Sequence, residues 1–168
     1  MPRPVGACDV PNASMEDSPG GFPTGWQPYV FPGQCAGEGV SRTTEDAHTG
    51  AASLRIVDTS TGCTGAVSSA VPITPGLPYR VGMWAKAVEG TPQVGVFLAY
   101  YTSADAPYLS YATKIPFAGS PGPEWTQIGG TTQQVVGATH VRLWAYAPMG
   151  AAGVTLVDDF VLRADIGS

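Results

Sequence analysis

Charge is scarce in this chain of 168 residues, where 8 lysines and arginines and 13 aspartates and glutamates make up only 12%. Helical bundles and coiled coils need many more Glu, Lys and Arg, so both are excluded. The net charge of −5 lacks the basic footprint of a nucleic-acid binder. Long hydrophobic runs are missing too, and none approaches the roughly 20 apolar residues of a membrane-spanning helix. No window holds a helical period over three turns. Histidine occurs twice, at His48 and His140, and neither lies in a metal-binding or triad motif. The three cysteines, Cys8, Cys35 and Cys63, are too far apart for a zinc finger or a redox CxxC pair. Met1-Pro2-Arg3-Pro4 leads into no apolar stretch, so an export signal is expected to be already removed or never part of this chain.

What the chain does have is 22 glycines, 16 prolines and a hydrophobic fraction of 43%, enough for one folded domain over residues 1–168. Apolar, β-branched and aromatic runs stand between turn signals at Pro75-Gly76, Glu89-Gly90, Ser120-Pro121-Gly122 and Met149-Gly150. They predict strands over Ser53–Val57, Gly65–Val71, Tyr79–Ala87, Gln93–Tyr101, Thr126–Thr132, His140–Tyr146 and Val154–Arg163. Ala104–Glu124 reads as a long connection with a short edge strand near Tyr108–Thr113. Many short strands with regular turns give an all-β fold, an antiparallel sandwich rather than a parallel α/β sheet. Cys35 and Cys63 both lie in Gly-rich loops and are the pair expected to bridge in an oxidising compartment; free thiols are the alternative. Asn12-Ala13-Ser14 matches a glycosylation sequon, too short a signal to carry weight.

Period-two alternation assigns the faces. In Tyr79–Lys86 the core set is Tyr79, Val81, Met83 and Ala85, which leaves Arg80, Trp84 and Lys86 opposite. In the next strand Val94, Val96, Leu98 and Tyr100 turn inward, leaving Gln93, Phe97 and Tyr101. In His140–Tyr146, Val141, Leu143 and Ala145 turn inward, leaving Arg142, Trp144 and Tyr146. Three strands thus place large aromatics where water is expected, the pattern of a binding surface on one sheet face. Trp26 and Trp125 are expected to be structural, and Tyr108 and Tyr111 could rim the site.

Four ordered segments resemble a known family: Val10-Pro11-Asn12-Ala13-Ser14-Met15-Glu16-Asp17 followed by Pro23-Thr24-Gly25-Trp26; Ala47-His48-Thr49-Gly50-Ala51-Ala52-Ser53-Leu54-Arg55; Pro75 to Lys86; and Val154-Thr155-Leu156-Val157-Asp158-Asp159-Phe160-Val161-Leu162. Together they are similar to the β-sandwich carbohydrate-binding modules of families four, nine, sixteen and twenty-two. Met15 stands where that group has an aromatic, and Tyr29–Gly39 has no counterpart in its pattern. The resemblance implies a jelly-roll sandwich of two antiparallel sheets, non-catalytic and attached to a secreted polysaccharide-degrading enzyme. It also implies a structural calcium ion tying the first strand to the last. Glu16, Asp158 and Asp159, with loop oxygens near Ser14 and His48, would supply the oxygens that calcium requires. Alternation gives Asp158 the parity of Phe160 and Leu162, pointing it inward, where an unpaired carboxylate is costly.

Pyranose rings have an apolar face that a flat aromatic can cover, worth about 25 cal/mol per Å² buried. Trp84, Trp144, Tyr146, Phe97 and Tyr101 provide aromatics, and Arg80, Arg142, Lys86 and Gln93 provide polar edges. Three of the chain's eight basic residues fall in this set, which suits a polysaccharide bearing carboxylate or sulfate groups. Neutral hydroxyls could occupy the same arginines. A structural or adhesive assembly protein, such as a phage or virion component, would use the aromatic face as an interface. A hydrolase or lyase needs paired acid and base groups, and none falls on this face. As an isolated module the chain is expected to be a monomer.

Overall fold

The computed structural model describes residues 10, 12–19, 21–28, 39–59, 63–103, 114–132, 137–147 and 152–165, with backbone alone at 114–118. Eleven strands form among these residues: β1 (Trp26–Pro28), β2 (Val40–Thr43), β3 (Ser53–Asp58), β4 (Thr64–Ser68), β5 (Val71–Pro72), β6 (Tyr79–Thr91), β7 (Val94–Tyr101), β8 (Lys114–Gly119), β9 (Thr126–Thr131), β10 (His140–Ala147) and β11 (Ala152–Ala164). No described helix is long and apolar enough to cross a membrane.

The strands make two antiparallel sheets. One runs β1-β4-β10-β7-β8 with β5 also paired to β10, and the other runs β2-β3-β11-β6-β9. All seven expected strands exist, with shifted ends. The run expected over Gly65–Val71 is divided into β4 and β5. The connection expected over Ala104–Glu124 contains β8, while Tyr108–Thr113 lies outside the described residues. Strands β1 and β2, of three and four residues, are too short for alternation to reveal.

The core lies between the sheets and follows the alternation. Val81, Met83 and Ala85 from β6 meet Val96, Leu98, Val141 and Leu143 from the other sheet. Each fully buried aliphatic side chain of this kind contributes about 1.5–3 kcal/mol. Trp26 is buried against Phe160 at 4.6 Å, the structural role expected of it. Met15 is fully buried in the same cluster. A hydroxyl bridge also joins the sheets: Tyr100 Oη donates to Thr132 Oγ1 at 2.9 Å, and the same oxygen accepts the Tyr79 N–H at 3.0 Å.

The last strand corrects one expectation. The pairing of β11 with β6 is regular from Thr155↔Ala87 to Asp158↔Trp84 and resumes at Val161↔Gly82, so that Asp159 and Phe160 face the single residue Met83 and one extra residue of β11 is taken up in a bulge. Asp159 accommodates it with φ at +50°, a conformation that Asp tolerates better than most residues. Phe160 and Leu162 therefore enter the core, while Asp158 has the parity of the outer face. It is nevertheless completely buried, because a loop covers it.

Cys63 is disulfide-bonded, and its possible partners in this chain, Cys8 and Cys35, lie outside the described residues. Asp58, at the end of β3, is 4% exposed, and its carboxylate oxygens have no side-chain partner among the described residues. Burial pushes its carboxyl up to about 6 from the ordinary 3.8. The folded state therefore holds this proton more tightly than the unfolded chain. Its effect on stability is smallest near pH 4 and grows unfavourable as pH rises through about 6. Asp58→Asn is expected to raise the melting temperature at pH 7.5 and change it little at pH 4, measured by thermal denaturation at both pH values.

Candidate functional site

Three acidic side chains clasp one loop. The segment His48–Ala52 crosses the five-stranded sheet between β2 and β3. Glu16 accepts the N–H groups of Ala51 and Ala52 at 3.0 Å. Asp158 Oδ2 accepts those of His48 at 2.9 Å and Thr49 at 3.3 Å, and Oδ1 accepts the Asp159 N–H at 2.8 Å. The Asp159 carboxylate meets His48 Nδ1 at 2.7 Å and accepts the Thr49 hydroxyl. Gly50 is required at the bend: its φ is +70°, and a Cβ there would run into the Glu16 carboxylate. Arg42 fixes the other side of the N-terminal turn, donating to the carbonyls of Met15 and Glu16. Burial raises the Asp158 carboxyl to about 6, with Asp159 repulsion adding to it and the N–H bonds opposing it.

This loop also covers part of the sheet's outer face. The His48 ring stacks on Trp84 at 4.1 Å and 11°, and Trp125 meets it edge-on at 5.7 Å. Lys86 pairs with Asp46, and that contact holds the Asp46 carboxyl below its usual range. No sequence signal links positions 46 and 86, so this pairing was not foreseeable.

The outer face of the six-stranded sheet has a different character. Register places Gln27, Val67, Trp144 and Phe97 in one row across β1, β4, β10 and β7. Trp144 and Tyr101 are 8% and 9% exposed and form a second apolar cluster with Val67 and Ala99, against which Phe97 packs. Phe97, Arg142 and Tyr146 are half-buried. Phe97 and Tyr146 lie 5.1 Å apart and tilted by 43°. Tyr146 is flanked directly in register by Gly65 and Gly95, and Phe97, one step along β7, is the aromatic that meets its ring. Arg142 lies 5.6 Å from the Tyr101 ring and donates to the Ser68 carbonyl at 3.1 Å. Burial raises the Tyr146 phenol, leaving a neutral hydroxyl at neutral pH.

The single aromatic row expected from alternation is thus two faces. Trp84, Arg80 and Lys86 belong to the five-stranded sheet, whereas Phe97, Tyr101, Arg142, Trp144 and Tyr146 belong to the other. β6 and β7 are consecutive but lie in different sheets, so their outward side chains point to opposite sides. Gln93 falls in the turn between them. Trp144 and Tyr101 are buried rather than exposed, because the neighbouring apolar groups pack over them. Ser14 is half-buried in the N-terminal turn with Glu16.

The residues expected to hold calcium converge on the clasp, and their chemistry suits it. Glu16 and Asp158 are hard oxygen donors, and neither has a cationic side-chain partner among the described residues. A cation would neutralise the buried Asp158. His48 turns its backbone N–H to Asp158 and its ring Nδ1 to Asp159, so both of these nitrogens are already engaged with the acids. No three His, Cys, Asp or Glu side chains form a metal-binding group among the described residues, so backbone oxygens would have to complete the shell.

The family model described as carbohydrate binding domain matches residues 12–150. No curated protein matches the chain. Among solved structures it is similar to the enzymatically active domain of tailspike protein 4 of bacteriophage CBA120, with 12% identity and a TM-score of 0.65, covering 92% of this chain and 22% of that one. It is similar to TmCBM61 in complex with β-1,4-galactotriose, with 16% identity and a TM-score of 0.61, covering 90% and 98%. It is also similar to the CBM22-1–GH10 modules of Clostridium thermocellum xylanase 10B complexed with xylohexaose, with 14% identity and a TM-score of 0.61, covering 96% and 28%. The chain therefore spans about a quarter of two of these proteins.

Removing the Glu16 carboxylate would leave the Ala51 and Ala52 N–H groups without it. Glu16→Ala is expected to lower unfolding free energy by about 1–2 kcal/mol, read by urea denaturation.

Proposed function

Because the chain belongs to the carbohydrate binding domain family, we propose that it binds a polysaccharide or oligosaccharide on the outer face of its six-stranded sheet. The reading rests on the half-buried Phe97 and Tyr146 beside glycine positions, with Arg142 on the same face. A sugar ring laid against these rings would bury its apolar face, and the Tyr146 hydroxyl and Arg142 would meet its hydroxyls. Trp144 and Tyr101 support the surface from beneath. The chain supplies recognition without chemistry of its own, as one module of a secreted polysaccharide-degrading enzyme. A binding panel of xylan, β-1,4-galactan, β-glucan and polygalacturonate tests this. Binding of a neutral glycan is expected, weakened at least tenfold by Phe97→Ala with Tyr146→Ala, while the melting curve keeps its cooperativity. No binding, together with a stable multimer in size-exclusion chromatography, would favour the assembly protein instead.

We also propose a structural calcium ion, held by the Glu16 and Asp158 carboxylates with loop oxygens. It would supply positive charge to a buried acid and tie the N-terminal turn to β11. Prolonged EDTA treatment is expected to lower the melting temperature, and added calcium to restore it. An unchanged melting temperature after metal analysis shows no calcium would refute the ion.

A further inference from the structure

A groove of about 340 Å³ crosses the outer face of the five-stranded sheet, on the side opposite Phe97 and Tyr146. Its size falls within the range of small-ligand sites. Arg80 of β6 and Arg163 of β11 stand directly opposite each other at one edge. One register step along, Val161, Gly82 and Gly129 form the floor, and Gln127 stands a step beyond them.

The two arginines form the informative feature. Like charges directly opposite on neighbouring strands repel, and proteins usually offset them with an acid nearby. Among the described residues neither Arg80 nor Arg163 has an ion pair or side-chain hydrogen bond, although the chain carries 13 acidic residues and a net charge of −5. Asp165, two residues after Arg163, pairs with neither. Both arginines are exposed, as is Gln127. A juxtaposed, unneutralised pair of guanidinium groups is a receptor for an oxyanion, because each can donate two parallel N–H bonds to a carboxylate.

The floor is open for a separable reason. A Cβ at Gly82 would meet its nearest neighbours, Gln127 Nε2 and the Ile128 carbonyl, at 3.4 Å, an ordinary contact. The backbone there does not require glycine, and its missing side chain is what keeps the groove empty. Gly129 differs, since a Cβ there would strike the Val81 carbonyl of the adjacent strand. Two glycines side by side leave a shallow, flat trough suited to a ring rather than to an extended side chain.

We propose that this groove is a second glycan site, distinct from the aromatic face, which takes a carboxylate-bearing sugar unit of an acidic polysaccharide. Arg80 and Arg163 grip the carboxylate, Gln127 meets a ring hydroxyl, and the ring lies over Gly82 and Gly129. The choice of a polysaccharide over another anion rests on the carbohydrate-binding reading above.

The test measures affinity for polygalacturonate and for its fully methyl-esterified form, with inorganic phosphate as a free-anion competitor. It uses the intact chain, Arg80→Gln with Arg163→Gln, Gly82→Leu, and Phe97→Ala with Tyr146→Ala. Polygalacturonate is expected to bind, and its affinity to fall at least tenfold in the double arginine variant and in Gly82→Leu. Methyl esterification should cause a similar loss, and the Phe97/Tyr146 variant should retain the acidic ligand while losing the neutral one. Because Arg80 and Arg163 are exposed, the glutamine variants should melt as the parent does. Absence of polygalacturonate binding, or binding unchanged in both groove variants, would overturn the second site. Loss of the acidic ligand through Phe97→Ala and Tyr146→Ala alone would place it on the aromatic face and equally overturn the groove. Competition by phosphate with no binding of the polymer would reduce the groove to a simple anion site and refute the glycan. Neutral-glycan binding lost at Phe97 and Tyr146 reports on the aromatic face independently, so either site can fail alone.

Discussion

The bulge in β11 is the constraint on which much of the molecule depends. Up to Asp158 the strand presents Val154, Leu156 and Asp158 to one side, and after Asp159 it presents Val161 and Arg163 to that same side. One extra residue is absorbed without ending the pairing to β6, and the local twist that a bulge adds re-aims the chain. Phe160 reaches Trp26 in the core for this reason, and Asp158 is free to hold the loop at His48–Ala52. The N-terminal turn joins the same loop through Glu16. One irregular step thus connects both ends of the described chain, a core contact and the cover over Trp84.

Electrostatics divides the five-stranded sheet's outer face into two zones. Near the bulge, acids have partners: Asp158 and Asp159 accept loop donors, and Asp46 pairs with Lys86. A few residues away, Arg80 and Arg163 have no such partners among the described residues. The difference follows from the covering loop, which brings N–H groups to the carboxylates but brings no acid to the arginines. The six-stranded sheet's outer face has little of either character and relies on rings.

Much of the fold was legible because its causes are local. Alternation in Tyr79–Ala85, Val94–Tyr100 and Val141–Ala145 identifies the core side chains, and the core contains them. The His48-Thr49-Gly50 and Asp158-Asp159 motifs pointed to residues that do meet. What could not be read was which strands share a sheet. Period two tells which side of its own strand a residue occupies, but not that β6 and β7 lie in opposite layers. From alternation alone the aromatics therefore read as one surface. The Asp158 parity failed for a related reason, since a bulge shifts the count without leaving an unambiguous residue signature. Arg163 carries no signal in the sequence, because its significance depends on its opposite neighbour, Arg80, and that register exists only in the folded sheet.

The hydroxyl bridge from Tyr100 through Thr132 to Tyr79 has a geometric consequence. It pins the layers against lateral slip, and facing sheets in such a sandwich are held about 10 Å apart by their packed side chains. The two outer surfaces therefore keep a fixed back-to-back orientation, too far around the molecule for one straight polymer strand to lie on both. A protein engaging glycan on each side would act as a rivet between separate strands, so its presence could stiffen a polysaccharide network as well as mark it.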